Sequence, residues 1–259
     1  MTKKNSKHRV KRDRELFDKI SSIYSSKDLH PPSRLARYQR VRQTLLHVPS
    51  LKRGRYLEVG CGAGYASDYL VGMYDDYTGI DYSEELIKKA KLRACSDNIR
   101  FEVADFLTYE PQEKYDAIFM VGVLHHMPEY TTAVKKCLSI LKPGGWLAVN
   151  EPQPGNPLIQ IFRKVRTKID KTYSEEQEPI AGNILFDTFK DAGFSSVEAF
   201  PQGFFSTPFA EVALKPTFLM SLFSRVMCFV DRHIEASFPI MFRKLSWNVV
   251  LIGQKKQIF

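Results

Sequence analysis

Two adjacent histidines and one glutamate are the side chains of this sequence best suited to accept a proton. His125 and His126 follow an apolar stretch that reads as a β-strand, and Glu151 ends the next such stretch. An imidazole titrates near neutral pH, so either histidine can serve as a general base, and the carboxylate is a further candidate. The structural alternatives are a turn shaped by both histidines, with His126 bonded to backbone, and a loop or helix cap at Glu151.

A glycine loop marks a second site of chemical interest. Gly60, Gly62 and Gly64 occupy alternate positions directly after an apolar strand, and a helical pattern follows them. Glycines let the backbone turn sharply and approach a ligand, and the next helix offers unpaired N–H groups. A second strand ends at Asp81, about 20 residues on, where a carboxylate can accept both hydroxyls of a ribose. Together these features predict a nucleotide-type cofactor site.

Five motifs in order resemble the class I S-adenosylmethionine-dependent methyltransferases. They span roughly residues 53 to 150, and their order makes the match more specific than any one of them. The motifs are Leu57–Gly64, Asp81, Val103–Phe106, Tyr115–His126 and Leu141–Leu147.

The resemblance implies S-adenosylmethionine as the cofactor and assigns most of its contacts by position. Glu58 and the three loop glycines would hold the methionine end. Asp81 would hold the ribose, and Tyr82 would flank the adenine. Backbone at Val121 and Gly122 would lie under the ammonium and the sulfonium.

The adenine end is assigned in the same way. Asp105 would take the amino group and Phe106 would pack on the ring, although Asp105 without the motif order reads as a loop carboxylate. The competing reading is a dinucleotide-dependent oxidoreductase on the same sheet. Asp81 does not discriminate, because both cofactors present a ribose, but Tyr65 stands where a dinucleotide fingerprint needs a small residue. Tyr65 and the Asp105–Phe106 pair favour the methyl donor.

The order of elements predicts an α/β fold, namely a Rossmann-like, seven-stranded, mostly parallel sheet with an antiparallel last strand and helices on both faces. Ser83 is the expected N-cap of the helix that follows Asp81. We expect strands near 55–59, 76–81, 99–103, 115–121, 145–150, 196–200 and 247–252, and helices near 64–73, 84–94, 130–141 and 186–192.

One elaborated domain with two additions is expected from the length of 259 residues. Residues 1–52 would form a basic tail and N-terminal helices, near 15–24 and 33–46, over the cofactor mouth. Residues 53–200 and 246–259 would form the methyltransferase core, with a polar insertion at 151–179. Residues 201–245 would form a helical cap inserted between the last two strands.

The cap carries an apolar stripe at helical spacing. Its charged residues, among them Arg225 and Asp231, break any window long enough for a transmembrane helix. The stripe either packs onto the sheet or across a homodimer interface, or lines an apolar pocket or touches a membrane surface. Its residues are Phe218, Leu219, Leu222, Phe223, Val226, Met227 and Val230.

Charge and cysteines set further expectations. Seven lysines and arginines against one aspartate lie in the first fourteen residues, in a chain of net charge +9. This predicts a solvated, frayed tail, or one that steers the protein to anionic lipid or nucleic acid. The tail lacks the apolar region of a signal peptide, and four scattered cysteines suggest neither disulfides nor a metal site, so we expect a cytoplasmic enzyme, in one alternative peripheral to a membrane.

Motifs that the sequence lacks narrow the chemical class of the methyl acceptor. The residues after the fourth strand, Val121–His125, contain neither the D/N-P-P-aromatic motif of base amino-methylation in this fold nor a cysteine nucleophile, and the basic tail has no interleaved aromatics. A small or lipid-like acceptor is therefore favoured. Oxygen is the preferred site of methylation, and carbon and nitrogen stay as alternatives. A nucleic-acid or protein methyltransferase and a non-catalytic cofactor-binding protein stay as alternatives.

Overall fold

Seven strands form one sheet in the order β3-β2-β1-β4-β5-β7-β6, in a computed structural model that describes residues 3–49, 51–154, 156, 159–161, 164, 177–238 and 244–257. Strand β7 runs antiparallel to both of its neighbours, and the other pairs are parallel. The predicted fold class is confirmed. The strands are β1 Arg55–Val59, β2 Asp76–Asp81, β3 Ile99–Val103, β4 Tyr115–Val121, β5 Leu141–Pro152, β6 Ser195–Gln202 and β7 Asn248–Gln254.

Helices cover both faces of this sheet. Ile118 and Met120 of β4 point into one apolar cluster, and Ala117 and Phe119 point into the other, because successive side chains of a strand alternate between faces. The helices are α1 Lys3–Ser26, α2 Pro31–Leu46, α3 Tyr65–Tyr69, α4 Glu84–Arg93, α5 Tyr130–Ile140, α6 Gly182–Ala192, α7 Thr207–Glu211 and α8 Thr217–Ser237.

Most predicted element boundaries agree with these ranges to within two residues. The main exceptions are α3, which ends at Tyr69 rather than near 73, and three elements that begin earlier than predicted. These are α1, which begins at Lys3 rather than near 15, β5, which begins at Leu141 rather than near 145, and α6, which begins at Gly182 rather than near 186. The chain turns beyond α3 at Gly72, whose φ is +85°. Ser83 caps α4 as predicted, since its side chain accepts the N–H of Leu86 at 3.2 Å.

The expectation of a frayed basic tail is wrong for the described part of that segment. Helix α1 is continuous from Lys3, and both Arg9 and Asp13 are buried. Along α1, Asp18 accepts a hydrogen bond from the hydroxyl of Ser83 at 2.6 Å, and Arg14 donates to Glu84. The helix is therefore held against the start of α4, directly after Asp81.

The insertion between β6 and β7 contains α7 and α8. The buried residues of α8 are Ser224, Cys228, Asp231 and Glu235, whereas its apolar stripe is largely exposed. The interpretation that the stripe packs onto the sheet is therefore wrong. Within the described ranges, each helix is either too short or too polar to cross a bilayer. Much of the predicted insertion at 151–179 lies outside the described residues.

Candidate functional site

A cavity lies at the carboxyl ends of β1, β2 and β4, which is the edge of the sheet where the sequence places its candidate residues. Helices α1 and α2 cover it, through Phe17 and Tyr24 of α1 and Arg37 and Arg40 of α2. Among the described residues, no group of three or more potential metal ligands is found. The predicted site residues in its lining are Glu58, Gly60, Gly62, Asp81, Tyr82, Val121, Gly122, His125 and His126.

Four predicted site residues lie outside that lining. At Gly64, where φ is +77°, a Cβ would come within 2.6 Å of the Phe101 ring, so this glycine serves packing. Phe106 is buried in the core, and the Asp105 side chain accepts the N–H of Leu107 at 2.9 Å. The contacts of Asp105 and Phe106 with adenine therefore stay predictions, and Glu151 lies behind His125.

The middle glycine of the loop leaves space for a ligand. A Cβ at Gly62 would lie 3.7 Å from the Cε1 atom of Tyr24, whereas one at Gly60 would lie 2.5 Å from Val123 Cγ2. The first position is open toward the cavity and the second is filled by the protein. Backbone at Gly62 can thus be approached closely from the cavity.

Asp81 joins this loop to the end of β2. Its carboxylate accepts the N–H groups of Gly62 and Ser83, each at 2.9 Å. Burial raises the pKa of Asp81 to about 6, although both N–H groups act against that rise. A carboxylate has about four acceptor positions, so the two occupied ones leave others for two ligand hydroxyls.

Glu58 is a buried acid at the floor of the cavity. It accepts a hydrogen bond from the hydroxyl of Tyr77. Burial raises the pKa of Glu58 to about 8, and the nearby Asp81 carboxylate adds to the effect. At neutral pH the group is therefore mostly protonated, and a cation in the cavity would favour its ionised form.

His125 and Glu151 form a pair beneath the cavity. The Nδ1 atom of His125 lies 2.7 Å from Glu151 Oε2, and Glu151 Oε1 accepts the N–H groups of Val123 and Leu124, each at 2.8 Å. Burial lowers the pKa of His125 to about 4, against the opposing effect of Glu151. Burial also opposes ionisation of Glu151, but His125 and the backbone N–H groups outweigh it and lower the Glu151 pKa.

This geometry separates the roles of the two residues. A neutral His125 that donates from Nδ1 to Glu151 carries its free lone pair on Nε2. Glu151, fully buried and bonded to the 123–125 backbone, holds that ring and the loop in place. Of the three catalytic candidates, Glu151 thus has the contacts of a positioning residue.

His126 is paired differently. Its Nδ1 atom lies 2.8 Å from Asp13 Oδ2, and the same oxygen accepts the hydroxyl of Tyr82 at 2.8 Å. Arg9 donates to the backbone carbonyl of His125 at 3.1 Å. Helix α1 therefore contacts the site along several of its turns, and no specific sequence signal marked Arg9, Asp13 or Phe17 beyond their place in a basic helical segment.

Arg40 of α2 was also missed by sequence reasoning. Its Nη2 atom lies 3.5 Å from the point where a Cβ of residue 122 would stand, and His125 Cε1 lies 3.7 Å from that same point. Arg40 also donates to Glu211 of α7 at 2.6 Å. The lining contains no residue of α8, so the interpretation of the apolar stripe as a pocket wall is wrong for this cavity.

The sheet order, the glycine loop and the acid at the end of β2 together define a class I S-adenosylmethionine-dependent methyltransferase fold. Residues 57–149 match the family model described as a methyltransferase domain. The chain therefore carries a methyltransferase domain of this class.

Relatives and solved structures agree with this assignment. A ubiquinone biosynthesis O-methyltransferase of Bordetella avium is 33% identical over 102 residues, which are 38% of this chain and 42% of that protein. The chain thus spans less than half the length of this relative in the alignment. A SAM-dependent methyltransferase from Thermotoga maritima has a TM-score of 0.68 at 20% identity, covering 94% of this chain and all of that one. Haemonchus contortus phosphoethanolamine N-methyltransferase 2, in complex with S-adenosyl-L-methionine, has a TM-score of 0.58 at 16% identity, covering 85% and 52%. At these identities the two structures show the fold alone.

Proposed function

We propose that this protein transfers a methyl group from S-adenosylmethionine to an oxygen atom of a small acceptor. When bound, that cofactor supplies a methyl group already activated on a sulfonium. The observation that carries the proposal is that the open backbone at Gly62, the Asp81 carboxylate and the His125–Glu151 pair border one cavity. A binding site and a proton acceptor are thus close together.

The chain's own residues fit the parts of that cofactor. Asp81 would accept the ribose hydroxyls with its remaining lone pairs, and Tyr82 would flank the adenine. Glu58 would ionise beside the methionine ammonium, which its raised pKa otherwise opposes. Asp105 and Phe106 are proposed for the adenine from their motif alone.

For the transfer, the acceptor oxygen must be aligned with the bond to the departing methyl group, and such positioning can supply up to ~7–11 kcal/mol. The acceptor hydroxyl gives its proton to Nε2 of His125 as the new carbon–oxygen bond forms. Glu151 holds the ring and stabilises the resulting imidazolium. The Arg40 guanidinium, beside Gly122, would stabilise the negative charge that develops on the acceptor oxygen.

Oxygen is favoured over nitrogen and carbon because the Bordetella avium relative is an O-methyltransferase by name. Arg37, Arg40 and Glu211 make the covered side of the cavity polar, which suits a polar reacting group. A lipid-like acceptor would have an apolar part in addition to this reacting group. Such an acceptor would be taken from a membrane surface. Protein, nucleic-acid and non-catalytic readings stay as alternatives.

The test is formation of S-adenosylhomocysteine from S-adenosylmethionine with a panel of acceptors. The panel pairs hydroxyaromatic compounds, with and without an apolar chain, with their amine analogues. We expect turnover with hydroxyl acceptors and a loss of turnover in His125→Asn. Turnover confined to amines would contradict O-methylation, and cofactor binding without turnover of any acceptor would favour the non-catalytic reading.

A further inference from the structure

Helix α8 is amphipathic with its polar side inward. Phe218 is 87% exposed, and Phe229 and Leu222 are 56% and 55% exposed. On the opposite side Asp231 and Glu235 are buried. Scattered exposed apolar side chains are common, but a continuous face of them on one helix marks an interaction surface. The exposed apolar residues, here called the α8 face, are Phe218, Leu219, Leu222, Phe223, Val226 and Phe229.

The orientation of α8 is fixed by its polar side. Asp231 accepts the N–H groups of Phe204, Phe205 and Ser206 at 2.8–3.2 Å and the Ser206 hydroxyl at 2.6 Å. Glu235 accepts the N–H of Gly203 at 2.7 Å. Rolling the helix to bury its apolar face would leave these backbone donors and both carboxylates without partners, which is costly. The hydrogen bonds on the polar side of α8 therefore keep the α8 face exposed.

The helix is anchored to α2 in the same orientation. Ser224 donates its hydroxyl hydrogen to the carbonyl of Pro32 at 2.8 Å, and Gln39 donates to the carbonyl of Cys228 at 2.8 Å. Helix α2 also contributes Arg37 and Arg40 to the lining of the cavity. A surface that engages the α8 face would thus hold the protein close to the helix that covers the site.

The exposed charged residues of α8 itself have one sign. Arg225 and Arg232 are exposed and lie seven residues apart, so they project on one side of the helix. The two acidic residues of α8 are both buried. Among its lysine, arginine, aspartate and glutamate residues, the exposed ones are therefore all arginines. With a net charge of +9, the chain is also attracted as a whole to anionic surfaces.

We propose that α8 is a docking helix that lies in the interface of an anionic lipid bilayer, with its apolar face in the headgroup and acyl boundary. Apolar residues on one face with arginines beside them are the pattern of interfacial helices. A second copy of the chain fits less well, because α8 offers no exposed acid to pair with the arginines of its partner. The proposal does not depend on methyl transfer.

Co-sedimentation of the full chain with vesicles tests it. We compare phosphatidylcholine vesicles with vesicles that also contain phosphatidylglycerol, at low and high salt. We expect binding to the anionic vesicles that weakens with salt, and a loss of about tenfold or more in the double variant Phe218→Glu/Leu222→Glu. The matched control is Val71→Glu/Leu92→Glu, which adds the same charge at positions that are 71% and 87% exposed and lie outside α8.

Two further variants separate the contributions. Phe218→Ser/Leu222→Ser removes apolar area without adding charge and should also weaken binding. Arg225→Ala or Arg232→Ala should each reduce binding to anionic vesicles about fivefold. Unchanged melting temperatures establish that the variants are folded. Absence of binding at low salt, or equal binding by the α8 variants and the Val71/Leu92 control, would overturn the proposal. So would a dimer in solution that the Phe218/Leu222 variant converts to monomer, since the face would then bind a second copy.

Discussion

Helices α1 and α8 are both amphipathic, and they bury opposite kinds of residue. Helix α1 belongs to a strongly basic segment, yet Arg9 and Asp13 are buried beside the cavity. Helix α8 carries an apolar stripe, yet it buries Asp231 and exposes Phe218. Periodicity therefore indicates a two-faced helix without saying which face is covered.

The partners decide the outcome in each case. Asp13 is held by Tyr82 and His126, which follow β2 and β4. Asp231 is held by backbone N–H groups at 204–206, where the chain leaves β6 and regular structure no longer provides acceptors. The consequence is functional: α1 forms part of the site, whereas α8 supports the fold with one side and leaves the other free.

The largest expected difference between a variant beside α1 and a variant on α8 is in turnover. His125→Asn, next to α1, should lower kcat by about 10²–10⁴-fold, since it removes the proton acceptor and keeps a polar side chain near Glu151. Leu222→Glu, on α8, should leave kcat with a water-soluble acceptor unchanged. Steady-state kinetics with an acceptor from the proposed panel measure both. Equal effects of the two variants on kcat would mean that α8 contributes to turnover as much as the surroundings of His125 do.

The next largest difference is in stability. Asp231→Ala removes the acceptor of several buried donors and should lower the free energy of unfolding by about 3 kcal/mol or more. Phe218→Ala, on the exposed face of the same helix, should change it by less than about 0.5 kcal/mol. Urea denaturation followed by circular dichroism compares the two. A larger cost for Phe218→Ala would mean that the apolar face is covered.

The sheet and the position of the candidate cofactor site were predictable from sequence because they depend on local patterns. Apolar strands alternate with helices, glycines follow β1 and an acid ends β2, so the mostly parallel sheet and the candidate residues Glu58, Gly62 and Asp81 follow from rules that need no distant partner. His125 and His126 were both chosen as candidates from their residue type and their position after an apolar strand.

What could not be predicted depends on contacts far apart in sequence. The choice of His125 as the buried partner of Glu151 follows from their 2.7 Å approach across 26 residues. Arg9 is 116 residues from its partner His125, and Asp13 is 69 residues from its partner Tyr82. Arg40 reaches the site from α2. Nothing in the local pattern around these residues distinguishes them from solvated surface charges.

A smaller effect is expected from the contact between α1 and the cofactor side of the cavity. Asp13→Ala removes the acceptor of the Tyr82 hydroxyl and the neighbour of His126, and should weaken S-adenosylhomocysteine binding by about 1 kcal/mol, or about fivefold. Glu15→Ala is the matched control, since Glu15 is exposed and its Lys11 partner is 3.7 Å away. Calorimetry measures both. Equal affinities would mean that α1 covers the cavity without contributing to binding.

The smallest effect concerns pH. Burial raises the pKa of Asp81 to about 6, so this carboxylate is ionised above that pH and takes up a proton below it. Ionisation of Glu58, whose pKa is about 8, should raise the affinity for S-adenosylhomocysteine as the pH increases above 7. Below pH 7 the protonation of Asp81 should lower the affinity by a further factor of about two at pH 6, where half of the Asp81 groups are protonated. Asp81→Asn should remove this dependence. An unchanged profile in that variant would assign the dependence to another group.

The cavity at the ends of β1 and β2 is proposed to hold S-adenosylmethionine through Asp81. The most direct measurement is calorimetric titration of the full chain and of Asp81→Ala with S-adenosylhomocysteine, with NAD as the comparison ligand. We predict binding of S-adenosylhomocysteine but not of NAD, weakened by ~1.5–3 kcal/mol in the variant, the range for a hydrogen bond to a charged group. Equal affinity in the two proteins would mean that Asp81 does not hold this ligand, and binding of NAD alone would mean that the cavity is a dinucleotide site.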